Sequence, residues 1–250
     1  MQMVSEKTKQ ILEEKAKRLE DLEERISASL NRIPAGVAEQ VGYFALFNSR
    51  GSKAPFFWCF NGLAEPILLA EVIGKDQPFY AMISAHSLLP KELAHISSYM
   101  MLSDAYAELV EKINLSGRIM IGGNCQAGPI AEMICHRLYE NGRSLPLLFT
   151  LEHDLRYTYP GAVYMLFGEN SLRQNPFLQG KHPVAGWRRK FGKVGWSEIP
   201  GDHGQYFKSP NIQHLSAHIK FANAMFHVTG AGPSGWVRMT PDDLMPAKLV

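Results

Sequence analysis

The sequence predicts an α/β fold, a mainly parallel central sheet with helices on both faces and an extra N-terminal helix. Two observations predict it. Short apolar runs such as Pro55–Phe60 and Leu145–Leu151 lack polar alternation, as strands covered on both faces must. Those runs then alternate with stretches of helical periodicity, the pattern of strands linked by crossover helices. At 250 residues, 46% hydrophobic and 20% charged, the chain can build one full-sized core with short appendages.

The elements follow in order. Residues 5–31 read as one solvent-facing helix with a narrow stripe of Leu12, Ala16, Leu19, Leu22, Ile26 and Leu30. Its other faces are charged, with i,i+4 pairs Glu14–Arg18 and Asp21–Arg25, and Pro34 and Gly36 end it. The stripe fits a linker helix packed on the body, or a docking or dimerising helix that needs a partner stripe. Val41–Phe47 and Pro55–Phe60 read as a hairpin around the Gly-containing segment 48–54. Beyond it, helix is expected over 66–73, 103–113, 129–139 and 211–227. Strand is expected over 77–83, 118–122, 145–151, 162–167 and 194–199. The chain therefore divides into a helix over 1–32, a body over 33–228 and a loosely attached tail over 229–250.

Composition excludes several classes. Twenty-six basic against 24 acidic residues leave a net charge of +2, too little to recruit nucleic acid or anionic membrane in bulk. No apolar run approaches the roughly 20 residues of a membrane helix, and the charged N-terminal 30 residues hold no signal-peptide core. Cys59, Cys125 and Cys135 cannot all pair and lack Cys-x-x-Cys spacing, which fits a reducing, cytoplasmic setting. No metal site is expected, because no His/Cys cluster has ligand spacing. Gly122-Gly123 matches no nucleotide-binding pattern.

The informative segment is Arg118-Ile-Met-Ile-Gly-Gly-Asn-Cys-Gln-Ala-Gly-Pro. It reads as strand, tight turn, helix, with small residues two before and two after Cys125, namely Gly123 and Ala127. A nucleophile elbow requires this spacing, because bulk at either flank would strike the neighbouring strand or helix. The following helix would point its N-terminus at Cys125 and is expected to favour the thiolate. A thiol nucleophile needs a base, and the base an orienting acid. Of nine histidines, His203 alone sits in a loop, Pro200-Gly-Asp-His-Gly, directly after an apolar strand and before a terminal helix. The acid is expected at the end of strand 145–151, at Glu152, with Asp154 as the alternative. Asp202 is read as shaping the turn.

Taken together, residues about 54–227 resemble the α/β-hydrolase thioesterase domains of nonribosomal peptide and polyketide synthases. The matching stretches are Pro55-Phe-Phe-Trp-Cys-Phe-Asn-Gly, Gly74-Lys-Asp-Gln-Pro-Phe-Tyr-Ala, Ile121-Gly-Gly-Asn-Cys-Gln-Ala-Gly and Ile199-Pro-Gly-Asp-His. Spacing agrees too: Gly142 follows Cys125 by 17 positions and Glu152 follows it by 27. The resemblance implies an acyl or peptidyl chain presented as a thioester on the phosphopantetheine arm of a carrier protein, with no cofactor of the enzyme's own. It implies transfer of that chain to Cys125 and release by hydrolysis, cyclisation or transfer. His203 would serve as base, Glu152 as orienting acid, and the backbone N–H groups of Gln126 and Leu63 as the oxyanion hole.

Three departures stand out. Cys125 replaces the usual serine, native or engineered, and Ala127 the second elbow glycine; Glu152 replaces the usual Asp. Only His153–Pro160 separate the acid strand from the next run, so the helical lid should be short or absent. The alternatives are a Cys-dependent acyltransferase resembling polyester synthases, and a catalytically inactive α/β-hydrolase serving as a binding module. Trp187, Trp196 and Tyr206 are read as core, with an acyl-pocket lining as the alternative. Arg156, Lys181 and Arg188–Lys190 form a basic cluster that could face an acidic carrier protein.

Overall fold

The computed structural model describes residues 6–90, 96–113 and 117–239. Helix α1 spans Glu6–Leu30, and both expected ion pairs form on it, Arg18–Glu14 at 2.6 Å and Arg25–Asp21 at 2.9 Å. Leu22, Ile26 and Leu30 of the apolar stripe are buried, while the side chains of Leu12 and Ala16 lie outside the described residues. The helix packs on α3 (Ala85–Leu88) and α4 (Ile96–Ile113). A second tie comes from Tyr43, whose hydroxyl meets Glu23. Burial first, then that carboxylate, pushes the tyrosine pKa up to about 12.

Among the described residues nine strands form one sheet in the order β1-β2-β4-β3-β5-β6-β7-β8-β9. They are β1 (Ala38–Val41), β2 (Phe44–Phe47), β3 (Phe56–Phe60), β4 (Phe79–Ile83), β5 (Met120–Asn124), β6 (Leu147–Leu151), β7 (Tyr159–Gly168), β8 (Phe191–Ile199) and β9 (Gly235–Trp236). β1 and β2 run antiparallel to their neighbours, and β4 through β9 pair in parallel. β3 to β6 are buried at every position, which is why they read as unbroken apolar runs.

Crossover direction places the helices. The chain moves one way from β3 through α2 (Ala64–Val72) to β4, and the opposite way from β4 through α4 to β5. Right-handed crossovers then set α2 on one face, and α4 and α5 (Gly128–Glu140) on the other. Packing agrees: α4 lies against α5, and α2 against α7 (Asn211–Thr229). The reversal falls between β3 and β5, opening a crevice at their carboxyl ends where sheets of this kind bind ligands.

Three features differ from the sequence expectation. The hairpin is β1–β2, turned at Gly42-Tyr43, and not 41–47 with 55–60. β3 is enclosed in parallel by β4 and β5, so β2 pairs with β4 instead and leaves β1 as the sheet's edge. The tail is partly anchored: β9 adds to β8, Val237 N–H donates to the Trp196 carbonyl at 2.9 Å, and Ser197 Oγ donates to the Val237 carbonyl at 2.6 Å. Two helices went unread, α3 and α6 (Val184–Lys190), both short and without a full apolar repeat. Among the described residues no helix is long and apolar enough to cross a membrane.

Candidate active site

The elbow is built by sterics. Cys125 takes φ 51°, a left-handed backbone that a non-glycine residue adopts only under surrounding constraint. β5 delivers it from below and a short 3₁₀ turn, Cys125–Ala127, leads into α5. A Cβ on Gly123 would lie 2.8 Å from the Ala127 carbonyl oxygen and 3.1 Å from the Ala131 Cβ, so no side chain fits there.

Glu152 follows β6 directly and also sits at positive φ, 55°. Its backbone N–H donates to the Leu166 carbonyl at 2.9 Å, and its Oε1 accepts the Gly168 N–H at 3.1 Å. The other oxygen, Oε2, meets His203 Nδ1 in a short contact. His203 Nε2 lies 3.4 Å from Cys125 Sγ. A carboxylate can only accept, so Nδ1 carries the imidazole proton and Nε2 turns its lone pair toward the thiol. The Glu152 side chain is 1% exposed and that of His203 46%, which gives a fixed carboxylate beneath a solvent-reachable ring. Three residues from the ends of three strands thus converge: Cys125, Glu152 and His203. Asp154 is exposed two residues further on, and Asp202 closes the His203 turn through its carbonyl, which accepts the Gln205 N–H at 3.1 Å.

The thiol's electrostatics run against the sequence expectation of a favoured thiolate. Burial pushes the Cys125 pKa up, and the carboxylates of Glu152 and Glu65 push the same way. The Gln126 backbone N–H pulls it down without prevailing. Desolvation and two nearby negative charges thus favour the neutral thiol over the thiolate.

Leu63 ends the loop after β3, immediately before α2, and Gln126 is the residue after the thiol. β3 and β5 are adjacent in the sheet, so both positions edge the same crevice. Around them lies a polar ring that sequence reasoning missed: Asn61, Glu65 and Asn124, with Trp58 donating to Asn124 Oδ1 at 3.1 Å. Tyr206 is buried in the core, as its sequence reading expected. Its hydroxyl lies against Glu152 and over Gly168, where a Cβ would come within 2.1 Å of it. Trp187 and Trp196 are buried, with the partly buried Phe177 packed on them in an aromatic cluster, as core.

Only residues 152–158 separate β6 from β7, and this crossover contains no helix of its own. With Cys125 half-buried and His203 exposed, the site stands open on that side. The basic cluster Arg188–Lys190 cannot border it. Those residues precede β8, whose nine residues at about 3.3 Å each put them nearly 30 Å from the strand ends that carry the site.

No protein-family model matches the chain. A stretch of 133 residues is 30% identical to chondramide synthase cmdD of Chondromyces crocatus, covering 52% of this chain and 3% of that synthase. The NocB thioesterase domain from the nocardicin cluster superposes with a TM-score of 0.56 at 11% identity, covering 71% of this chain and 96% of that one. The thioesterase domain SrfTE, described for cyclisation of the lipopeptide surfactin, gives 0.51 at 10% identity, covering 71% and 93%. The type II thioesterase YbtT of the yersiniabactin pathway gives 0.50 at 14% identity, covering 71% and 93%. The chain has the α/β-hydrolase fold of these thioesterase domains.

Proposed function

We propose that the chain is a thioesterase-type enzyme that takes an acyl or peptidyl chain from a carrier-protein thioester onto Cys125. The observation that carries this is the linked set of thiol, imidazole and buried carboxylate, Cys125–His203–Glu152, at the carboxyl ends of the strands. In the first half-reaction His203 Nε2 accepts the thiol proton as Sγ attacks the thioester carbonyl. The Gln126 and Leu63 N–H groups receive the oxyanion, each such donor contributing roughly 3–4 kcal/mol to barrier lowering. Glu152 stabilises the imidazolium. Collapse expels the carrier thiolate, which takes the proton back from His203 and leaves an acyl-S-Cys125 thioester.

The second half-reaction repeats these roles with an incoming water, hydroxyl, amine or thiol. Thioester-to-thioester exchange is nearly thermoneutral, so the acyl group stays activated on cysteine. A short crossover without a helical lid of its own leaves room for a bulky acceptor, which favours transfer or cyclisation beside hydrolysis. The carrier protein is the proposed partner, approaching from the strand-end side.

Intact-protein mass spectrometry with an acyl-N-acetylcysteamine tests this. Wild type should gain one acyl mass, and Cys125→Ala none. His203→Ala should gain it far more slowly. An adduct that persists in Cys125→Ala overturns the assignment.

A further inference from the structure

We infer that Glu65 is a positioning residue that holds the two oxyanion donors in one frame, an inference that rests on the acyl-transfer reading of Cys125. Glu65 lies in the first turn of α2, two residues past Leu63, and its carboxylate turns back toward the strand ends. Oε2 accepts the Asn61 N–H at 2.8 Å and the Gly62 N–H at 3.4 Å. Asn124 Nδ2 donates to the same carboxylate, 3.3 Å from Oε2 and 3.4 Å from Oε1. Asn61 Nδ2 closes the ring by donating to the Asn124 carbonyl at 2.9 Å. Trp58 Nε1–H fixes Asn124 from beneath at 3.1 Å.

The ring joins the chain just before each donor. Asn124 precedes Cys125-Gln126, and Asn61-Gly62 precede Leu63. A carboxylate is an acceptor at every lone pair, so it takes N–H donors from both loops at once without presenting a donor of its own to either. The charge itself opposes the chemistry. Burial raises the pKa of Glu65, and its charge helps to raise that of Cys125. A buried negative charge beside a developing oxyanion is tolerable only if the alignment it enforces is worth more than its repulsion.

That opposition supplies a test that a merely structural role would not pass. Thioester acylation needs the oxyanion hole, whereas alkylation of Cys125 by iodoacetamide needs only an accessible thiolate. Glu65→Gln removes the charge and, with its carbonyl oxygen kept on the Asn61 and Gly62 N–H groups, sets its N–H₂ against the Asn124 Nδ2 donor, which loosens the link between the two loops. In the whole 250-residue chain, acylation by acyl-N-acetylcysteamine should fall by about 100-fold while alkylation holds or rises. Glu65→Asp keeps the charge and shortens the arm, and should lose acylation with alkylation unchanged. Should Glu65→Gln fail to fold by circular dichroism, Glu65→Asp decides alone. Wild-type acylation in a folded variant, or both rates falling together, overturns the inference. A wild-type protein that alkylates at Cys125 but never acylates removes the acyl-transfer reading itself, and this inference with it.

Discussion

His153 occupies the space that a side chain on Gly128 would need: a Cβ built there falls 2.5 Å from both Cβ and Cγ of the histidine. The elbow helix and the residue after the candidate acid are thereby locked together. Gly128→Ala sets a gain of about 0.5–1 kcal/mol for removing glycine from a helix against about 1–3 kcal/mol for overpacking. The obstructing atoms are the root of the imidazole, not a flexible tip, so overpacking wins. A net loss of about 1–2 kcal/mol in chemical denaturation is expected, with slower acylation. A stabilised Gly128→Ala protein would contradict the lock.

Glu132 completes that lock. It is buried in α5, where Oε1 accepts the backbone N–H groups of Arg156 at 3.1 Å and Tyr157 at 2.9 Å, and Oε2 faces His153 Nε2 at 3.3 Å. This carboxylate ties to α5 a crossover that has no helix of its own. Glu132→Ala strands those donors and should cost about 2–3 kcal/mol. Glu132→Gln keeps the carbonyl oxygen for the backbone, and His153 can switch tautomer to accept the new amide proton, so less than about 1.5 kcal/mol is expected. Denaturation midpoints of the two variants check the order.

The two candidate acids separate by turnover. Glu152 is buried and meets His203, whereas Asp154 is exposed. Glu152→Gln keeps the shape but no longer compels the proton onto Nδ1, and turnover should fall by about 10³–10⁴-fold. Asp154→Asn should leave it within about twofold of wild type, since an exposed charge is screened by solvent and salt. Steady-state release of acyl-N-acetylcysteamine measures both, and loss confined to Asp154→Asn would reverse the assignment.

What the sequence disclosed follows the reach of its local rules. The elbow is legible because sterics at Gly123 and Ala127 act within a few residues. Glu152 and His203 are legible because each directly follows a strand. Strand pairing is not local: nothing in Phe44–Phe47 says that its partner is Phe79–Ile83 and not the nearer Phe56–Phe60. β9 pairs through two residues, too short for any periodicity. Of the polar residues that brace the site, Asn124 lies inside the elbow motif but has no role assigned by it, and Glu65, Glu132 and His153 stand singly in no motif. One signal was available. Glu132 interrupts the apolar series Ile130, Ala131, Met133, Ile134, and a lone carboxylate in a buried stretch must find donors.

The raised pKa of Cys125 fixes the pH behaviour. A thiol whose pKa lies above its ordinary 9.0 is protonated at neutral pH, and its thiolate fraction keeps growing as pH climbs past that value. Iodoacetamide alkylation should therefore still be rising at pH 9. It reports this residue, because Cys59 and Cys135 are wholly buried in the folded chain. Glu152→Gln removes one of the charges that raise the pKa, so its alkylation midpoint should move down. A neutral thiol also obliges His203 to take the proton during attack. His203→Ala should slow acylation at pH 7.5 by about 10²–10⁴-fold, yet alkylate like wild type at pH 10, where hydroxide does the same work. An alkylation midpoint below pH 7 in wild type would instead mean a preformed thiolate–imidazolium pair, and deprotonation would precede attack.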